Sequence, residues 1–389
     1  MNLIVQKYGG SILNTLDDIE KVGSNIIETL KRGNSVVAVV SALKKETEGL
    51  IDYAKSISPN PDPREMDMLI STGEQKTGAL LSLYLHGKKI PAISFTGHQI
   101  GIITDSEYGN ASILKINSEK LQSELNLGKV IIVAGFQGVN LLEEITTLGR
   151  GGSDLTAVSI GAALKSDLVE FYKDTGAIFT VNPELTDGKK IKKIDYFTMM
   201  ELSKGDVSII AGKAIEAAKK YSVPMIVKGL GKDENTLIVN DDFSFSDERY
   251  LAVSVRDDEH QLLVDSDPEA FFRVLGDDIS INYLDRISSG DFKKLLLTLS
   301  ESELEKIRPK LKDQKVPFEL SGPFSRTVVV GWGFRTQKRF YSKIMGIIKN
   351  SSMDFSDVHF SGFNVSLLIP ESDLQELLDI INRENNDQD

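Results

Sequence analysis

The sequence predicts an α/β fold: an open, mostly parallel sheet flanked by helices, followed by two smaller α+β modules. Three observations carry that expectation. Continuous β-branched runs, SVVAVVSAL at 35–43 and KVIIVAGF at 129–136, suit strands covered on both faces. Segments with apolar residues at helical spacing alternate with such runs, as right-handed crossovers in a parallel sheet require. Beyond residue 250 the rhythm changes to short strands with single helices between them.

Taken in order, LIVQKY at 3–8 reads as a strand running into Gly9, Gly10 and Ser11. After it, Leu13, Leu16, Ile19, Val22, Ile26, Ile27 and Leu30 recur at helical spacing. A helical stretch around 64–86 precedes the short apolar run IPAISF at 90–95. A helix over 154–164 leads to DLVEFY at 167–172, and a helix over 212–221 leads to VPMIVKG at 223–229. The acidic, turn-rich segment NDDFSFSDER at 240–249 lacks periodicity and reads as a linker, closing a domain of residues 1–240. The tail repeats a β-α-β-β-α-like order twice, over 250–320 and 325–389, which predicts an internal duplication of a ferredoxin-like module.

At 389 residues the chain is long enough for two or three domains of about 150 residues each. Hydrophobic residues at 41% and charged residues at 26% exclude wholesale disorder, collagen and coiled coil. Asp plus Glu exceed Lys plus Arg by 57 to 45, so no nucleic-acid partner is expected. With no cysteine, disulfides, thiolate zinc sites and cysteine nucleophiles are excluded. No apolar run approaches the roughly 18 residues that span a bilayer, and MNLIVQKYGGSIL lacks a basic head with a long apolar core. No membrane partner and a cytoplasmic location are therefore expected. Four histidines, His86, His98, His260 and His359, are scattered without metal-ligand spacing, so no metal site is expected.

Chemistry concentrates in three glycine-bearing stretches. In Lys7-Tyr8-Gly9-Gly10-Ser11 the glycines let backbone N–H groups approach an oxyanion, the next helix offers its positive end, and Lys7 could stabilise a transferring phosphoryl group. A strand, glycine turn and helix without such a role reads the same way. In Thr147-Leu148-Gly149-Arg150-Gly151-Gly152-Ser153-Asp154 the arginine offers a planar fork to a carboxylate or phosphate, and a helix-capping loop with a solvated arginine is the plainer alternative. Ser71-Thr72-Gly73-Glu74 adds a carboxylate able to hold an ammonium, or an ordinary acidic helix start. No GxxxxGK[ST] and no strand-linked GxGxxG occurs, so neither the P-loop nor the dinucleotide fingerprint is available.

Together these stretches resemble an amino-acid kinase, and specifically the aspartate kinases. KYGGS is similar to that family's Lys-Phe-Gly-Gly-Thr start, and VVSALKKET at 39–47, STGEQ at 71–75, QIGIITD at 99–105, VAGFQG at 133–138 and TTLGRGGSDLTA at 146–157 fall where the family has its blocks. The resemblance implies the amino-acid kinase fold over residues 1–240 and paired ACT modules in the tail. It implies ATP with Mg²⁺ as phosphoryl donor and L-aspartate as acceptor. By the same resemblance Lys7 stabilises the γ-phosphoryl while Tyr8, Gly9, Gly10 and Ser11 hold ATP phosphates, with Lys173, Asp174 and Phe179 on the nucleotide side. Ser41, Thr47 and Ser153 would line the aspartate pocket, Glu74 would take the α-ammonium, Arg150 the α-carboxylate, and Asp154 would orient Lys7. A carboxylate acceptor is already deprotonated near pH 7, so no general base is needed. A homodimer through the tail and an amino-acid effector there are also implied.

The pattern departs at YKDTGAIFTVNPE over 172–184, where Glu184 stands in place of the family's basic residue, and at ELSKGDVSII over 201–210, where Val207 stands in place of a lysine. Lys173, Lys189, Lys190 or Lys213 could supply the missing charge. These losses keep two rivals open: a kinase of another small carboxylate, and a non-catalytic regulatory subunit.

Overall fold

The structure, a computed structural model, describes residues 2–204, 209–240, 250–275, 279, 281, 283–289, 292–332 and 336–386. The described chain divides into two compact units, one of residues 1–179, 189–203 and 208–243, the other of 180–188, 204–207 and 244–389.

In the first unit, β1 (Leu3–Tyr8) leads through the glycine turn to α1 (Leu16–Lys31), then β2 (Ser35–Val40), α2 (Glu46–Ile57), α3 (Pro63–Ile70), α4 (Thr72–Gly87) and β3 (Ala92–Phe95). Next come β4 (Ile102–Thr104), β5 (Ile113–Ile116), α5 (Glu119–Asn126), β6 (Val130–Ala134), β7 (Gln137–Val139), β8 (Ile145–Thr147), α6 (Gly152–Leu164) and β9 (Leu168–Tyr172). The unit closes with β10 (Ile178–Phe179), β11 (Lys190–Ile191), β12 (Lys193–Asp195), α7 (Tyr196–Leu202), α8 (Gly212–Tyr221), β13 (Met225–Lys228) and β14 (Asn235–Val239).

Eight of these strands form one sheet in the order β12-β14-β13-β9-β1-β2-β6-β3. Every pairing in it is parallel except β13 with β14. The centre is buried on both faces, which is why β2 and β6 read as unbroken apolar runs: five of the six residues of β2 and all five of β6 are buried. On one face α1 and α4 pack Val22, Ile26, Leu81 and Leu85 against Val36, Ala38, Val40 and Ile132. Helix α1 starts where Asp18 reaches back to the Thr15 N–H at 3.0 Å, half of a capping box. The helical region expected around 64–86 is α3 and α4, divided at Ser71, which closes the one and opens the other. A second, four-stranded sheet, β5-β4-β7-β8, brings the Gly149-Arg150 turn to the start of α6.

The C-terminal unit has β15 (Tyr250–Asp265), α9 (Pro268–Leu275), β16 (Tyr283–Ser289), β17 (Phe292–Ser300), α10 (Glu301–Asp313), β18 (Phe318–Trp332), α11 (Gln337–Asn350), β19 (Asp357–Ser361), β20 (Asn364–Pro370) and α12 (Leu374–Asn386). Its strands form one sheet, ordered β16-β17-β15-β18-β20-β19. The two rounds expected in succession are interleaved. Residues 250–256 of β15 pair with 326–332 of β18, whereas 259–265 pair with β17 and with 318–324 of β18. Two cores result: one gathers Leu262, Phe271, Leu297, Leu304 and Ile307, the other Leu251, Val329, Phe340, Leu367 and Leu378. The segment 180–188, expected with residues 1–240, belongs here: the Val253 N–H donates to Thr180 O at 2.7 Å and Val181 is buried in the second core.

Candidate functional site

Strand alternation decides the site. Along β1 the side chains of Gln6 and Tyr8 share one face, where the Tyr8 hydroxyl donates to Gln6 Oε1 at 3.0 Å and accepts from Asn25 of α1 at 2.8 Å. Lys7 therefore projects to the other face, towards α6. There its ammonium lies 2.7 Å from Asp154 Oδ1, with both side chains less than a tenth exposed. Asp154 sits in the first turn of α6, and its Oδ2 accepts the Ala211 N–H at 3.1 Å. Burial pushes the Asp154 carboxyl up, but the charges of Lys7 and Lys173 outweigh it and hold the group below the usual range. Parallel pairing of β1 with β9 puts Lys7 beside Phe171, so Lys173, two residues on, emerges on the Lys7 side. Desolvation, helped by the like charge of Lys7 and opposed by Asp154, pushes the Lys173 ammonium down to about 8. A Cβ at Gly9 would stand 2.8 Å from Lys7 Nζ, so only glycine leaves the ammonium its place over the turn.

Beside this ion pair opens a cavity of about 440 Å³ whose lining includes Gly10, Ser11, Ser41, Thr47, Glu74 and Asp174. Glu74, at the start of α4, is 4% exposed. Its Oε1 accepts the Ala42 N–H at 3.1 Å, while Oε2 is buried without a hydrogen-bond partner. Burial pushes its pKa up to about 7, against the Ala42 hydrogen bond and the Lys7 charge that pull it down. A buried carboxylate oxygen without a partner is costly, and a cationic donor entering the cavity would satisfy it.

Six of the residues singled out in the sequence, Gly10, Ser11, Ser41, Thr47, Glu74 and Asp174, thus share one cavity, and Lys7 and Asp154 are joined across 147 positions. Others stand elsewhere. The ring of Tyr8 is fully buried and stacks on Tyr172 with centroids 4.8 Å apart, so its side chain is not available to ATP, contrary to expectation; alternation turns it into the core. Ser153 is buried in the first turn of α6, where a Cβ on Gly135 would come within 2.9 Å of its Oγ. Arg150 is exposed at the apex of the turn between β8 and α6, outside the lining of the cavity. Phe179, half-buried in β10, pairs with Lys190 of β11. Lys213 donates to Asn110 Oδ1 at 2.7 Å. Glu184 is exposed and belongs to the C-terminal unit; Val207 lies outside the described residues.

Two features escaped sequence reasoning. Asp67, in α3, is 1% exposed and accepts from Gly109 N at 2.9 Å, Thr147 N at 2.8 Å and Thr147 Oγ1 at 2.7 Å. Its position three residues before Ile70, on the buried side of α3, is the signal that could have found it. In the C-terminal unit the structure departs from the expectation of histidines remote from other ligands. His260 Nε2 lies 2.8 Å from Glu301 and 3.4 Å from Asp258, among the described residues the one group of three that could hold a metal ion. No helix among the described residues is long and apolar enough to cross a membrane.

Comparison with known proteins gives the same picture. The family model "Amino acid kinase family" matches residues 2–229. An aspartokinase of Bacillus sp. (strain MGA3) is 34% identical over 398 aligned residues, covering 98% of this chain and 97% of the relative. An aspartokinase of Geobacillus stearothermophilus is 44% identical over 254 residues, covering 65% of this chain and 62% of the relative. Among solved structures, E. coli aspartokinase III in complex with aspartate and ADP superposes with a TM-score of 0.75 at 18% identity, over 97% of this chain and 98% of that one, a likeness of fold. The chain belongs to the amino acid kinase family and, within it, to the aspartokinases.

Proposed function

We propose that this chain transfers the γ-phosphoryl group of ATP to the β-carboxylate of L-aspartate, giving 4-phospho-L-aspartate, the first step towards lysine, threonine and methionine. The observation that carries the reading is the bare Oε2 of Glu74 in the open cavity beside the Lys7–Asp154 pair: it suits the α-ammonium of an amino acid held next to a cation poised for phosphoryl transfer. Two anions must meet, so positioning and charge neutralisation are the whole catalytic task. Glu74 takes the ammonium, Arg150 the α-carboxylate, and Ser41, Thr47 and Ser153 complete the acceptor side. Lys7 withdraws charge from the γ-phosphoryl in flight, steadied by Asp154. Gly9, Gly10, Ser11 and the Tyr8 backbone cradle the phosphates, with Lys173, Asp174 and Phe179 on the nucleotide side.

Asp154 is committed on both oxygens, one to Lys7 and one to the Ala211 N–H. Mg²⁺, carried by the nucleotide, would supply charge neutralisation at the phosphates, leaving the Lys7–Asp154 pair intact. Lys173 is the candidate to replace one of the cations lost at Glu184 and Val207; desolvation pushes its ammonium down to about 8, against the charge of Asp154. Catalysis belongs to the first unit, and the C-terminal unit serves an amino-acid effector and a homodimer in the cytoplasm. The test is a coupled assay with ATP, Mg²⁺, aspartate and hydroxylamine to trap the acyl phosphate. Aspartate-dependent hydroxamate is expected, and Glu74→Gln should raise KM for aspartate at least about tenfold, as losing a charged hydrogen bond of about 1.5 to 3 kcal/mol implies. Preference for glutamate or an N-acylated acid in a substrate panel would favour the other-carboxylate rival. Absence of turnover with every acceptor would leave the regulatory-subunit reading.

A further inference from the structure

We infer that Asp67 is a positioning residue, whose buried carboxylate fixes the turn that presents Arg150 relative to the α3–α4 segment that carries Glu74. The inference rests on the reading of Arg150 as the grip on the substrate α-carboxylate.

The carboxylate holds three donors on two separate pieces of chain. Both the N–H and the hydroxyl of Thr147 donate to it, at 2.8 and 2.7 Å, and Thr147 is the last residue of β8, three before Arg150. The Gly109 N–H donates at 2.9 Å from the neighbouring loop. That loop is itself tied to the turn: Ala111 N donates to Thr147 O at 2.8 Å, and a Cβ on Gly149 would lie 2.9 Å from Asn110 Oδ1. Beyond the apex, Gly152 N returns to Gly149 O at 2.9 Å and Asp154 N to Gly151 O at 3.0 Å, so the turn passes directly into the helix start that pairs with Lys7. Seven positions after Asp67, across the Ser71 junction, stands Glu74. Gln137 Nε2 pins that junction by donating to Ser71 O at 2.7 Å. One short segment therefore sets the spacing between the two charges that would grip the α-ammonium and the α-carboxylate of an amino acid. Asp67 does not line the cavity, so it acts only through what it holds.

The test uses four full-length proteins: wild type, Asp67→Asn, Arg150→Ala and the double variant. Asn keeps the shape of Asp67 but turns an N–H₂ group towards donors. KM for aspartate should rise about tenfold in Asp67→Asn while KM for ATP stays within about twofold, and in the Arg150→Ala background the same substitution should add less than about twofold. Tryptic cleavage after Arg150, followed by mass spectrometry on the wild type and Asp67→Asn, should accelerate about tenfold as the turn loses its anchor. Unchanged KM for aspartate, a parallel rise in both KM values, or effects that multiply fully in the double variant would overturn the inference. If the wild type shows no aspartate-dependent turnover, the substrate reading fails by itself. Proteolysis then decides: faster cleavage supports the anchored turn and unchanged cleavage refutes it. Should Asp67→Asn not fold, Thr147→Val, which deletes only the hydroxyl bond, decides in its place, with an increase in KM for aspartate of about threefold expected and no increase counting against.

Discussion

Glu74 is the residue on which pH acts most directly. Its carboxyl is pushed up to about 7 by burial, from an ordinary 4.5. The folded protein thus holds this proton more tightly than the unfolded chain does. Stability from Glu74 is therefore fully present below pH 4.5 and is lost as pH rises to about 7, by about 3 kcal/mol at most. An incoming ammonium needs the ionised form, so the sign reverses for binding. Activity per unit aspartate, kcat/KM, should climb about tenfold from pH 6 to pH 8 as the group ionises, and Glu74→Gln should flatten that limb. Above pH 8, Lys173, pushed down to about 8, loses its charge, and kcat/KM for ATP should fall. A flat acidic limb in the wild type would contradict the role of Glu74. Lys7, Glu74 and Asp154 were singled out in the sequence because each lies within two residues of a glycine in a stretch that resembles a family motif. The 2.7 Å pairing of Lys7 with Asp154 was not, since it depends on which face of β1 looks at α6. The same alternation turns the Tyr8 ring into the core.

At the level of elements, the close approach of α1 and α4 turns on Gly23. Glycine in a helix interior normally costs about 1 kcal/mol relative to alanine, so Gly23→Ala would stabilise an isolated helix. Here a Cβ would meet Tyr84 Cδ1 at 2.3 Å and Cε1 at 2.4 Å, closer than any real contact. Tyr84 cannot withdraw freely, because Lys88 stacks on its ring at 5.2 Å and its hydroxyl lies 3.3 Å from Ser24 Oγ. Overpacking of this kind costs about 1 to 3 kcal/mol, which outweighs the propensity gain. Urea denaturation should therefore show Gly23→Ala less stable than the wild type, and a gain in stability would mean that α1 and α4 slide apart at little cost. The strands of the large sheet were readable because burial on both faces demands uninterrupted apolar runs, and α1 because its apolar face has a single period. The place of the break within 64–86 was not readable: Ser71 keeps helical backbone angles, φ −64° and ψ −15°, so no turn residue marks the junction.

On the scale of the whole molecule, the two units were told apart in the sequence by a change of rhythm, but the interior of the second was not. Residues 250–265 read as short strands of the first round. They form one strand whose halves pair with partners far apart in sequence, with register shifts between Arg256 and Gln261 where the pairing changes. Local pattern carries no information on such non-local pairing. Strands β15 and β18 each serve both cores, so the cores share backbone and should unfold as one. Leu297 of β17 is fully buried in the first core, and Leu297→Ala should cost about 2 to 5 kcal/mol by opening a cavity there. If the shared strands couple the cores, amides of β20 over 364–370, which belong to the second, should lose hydrogen-exchange protection together with those of β17. Two autonomous modules would behave otherwise: β17 would exchange early while β20 kept its full protection. The interleaved pairing favours the first outcome, because β18 cannot leave β15 near Leu262 without loosening the same strand where its Val329 pairs with Val365 of β20.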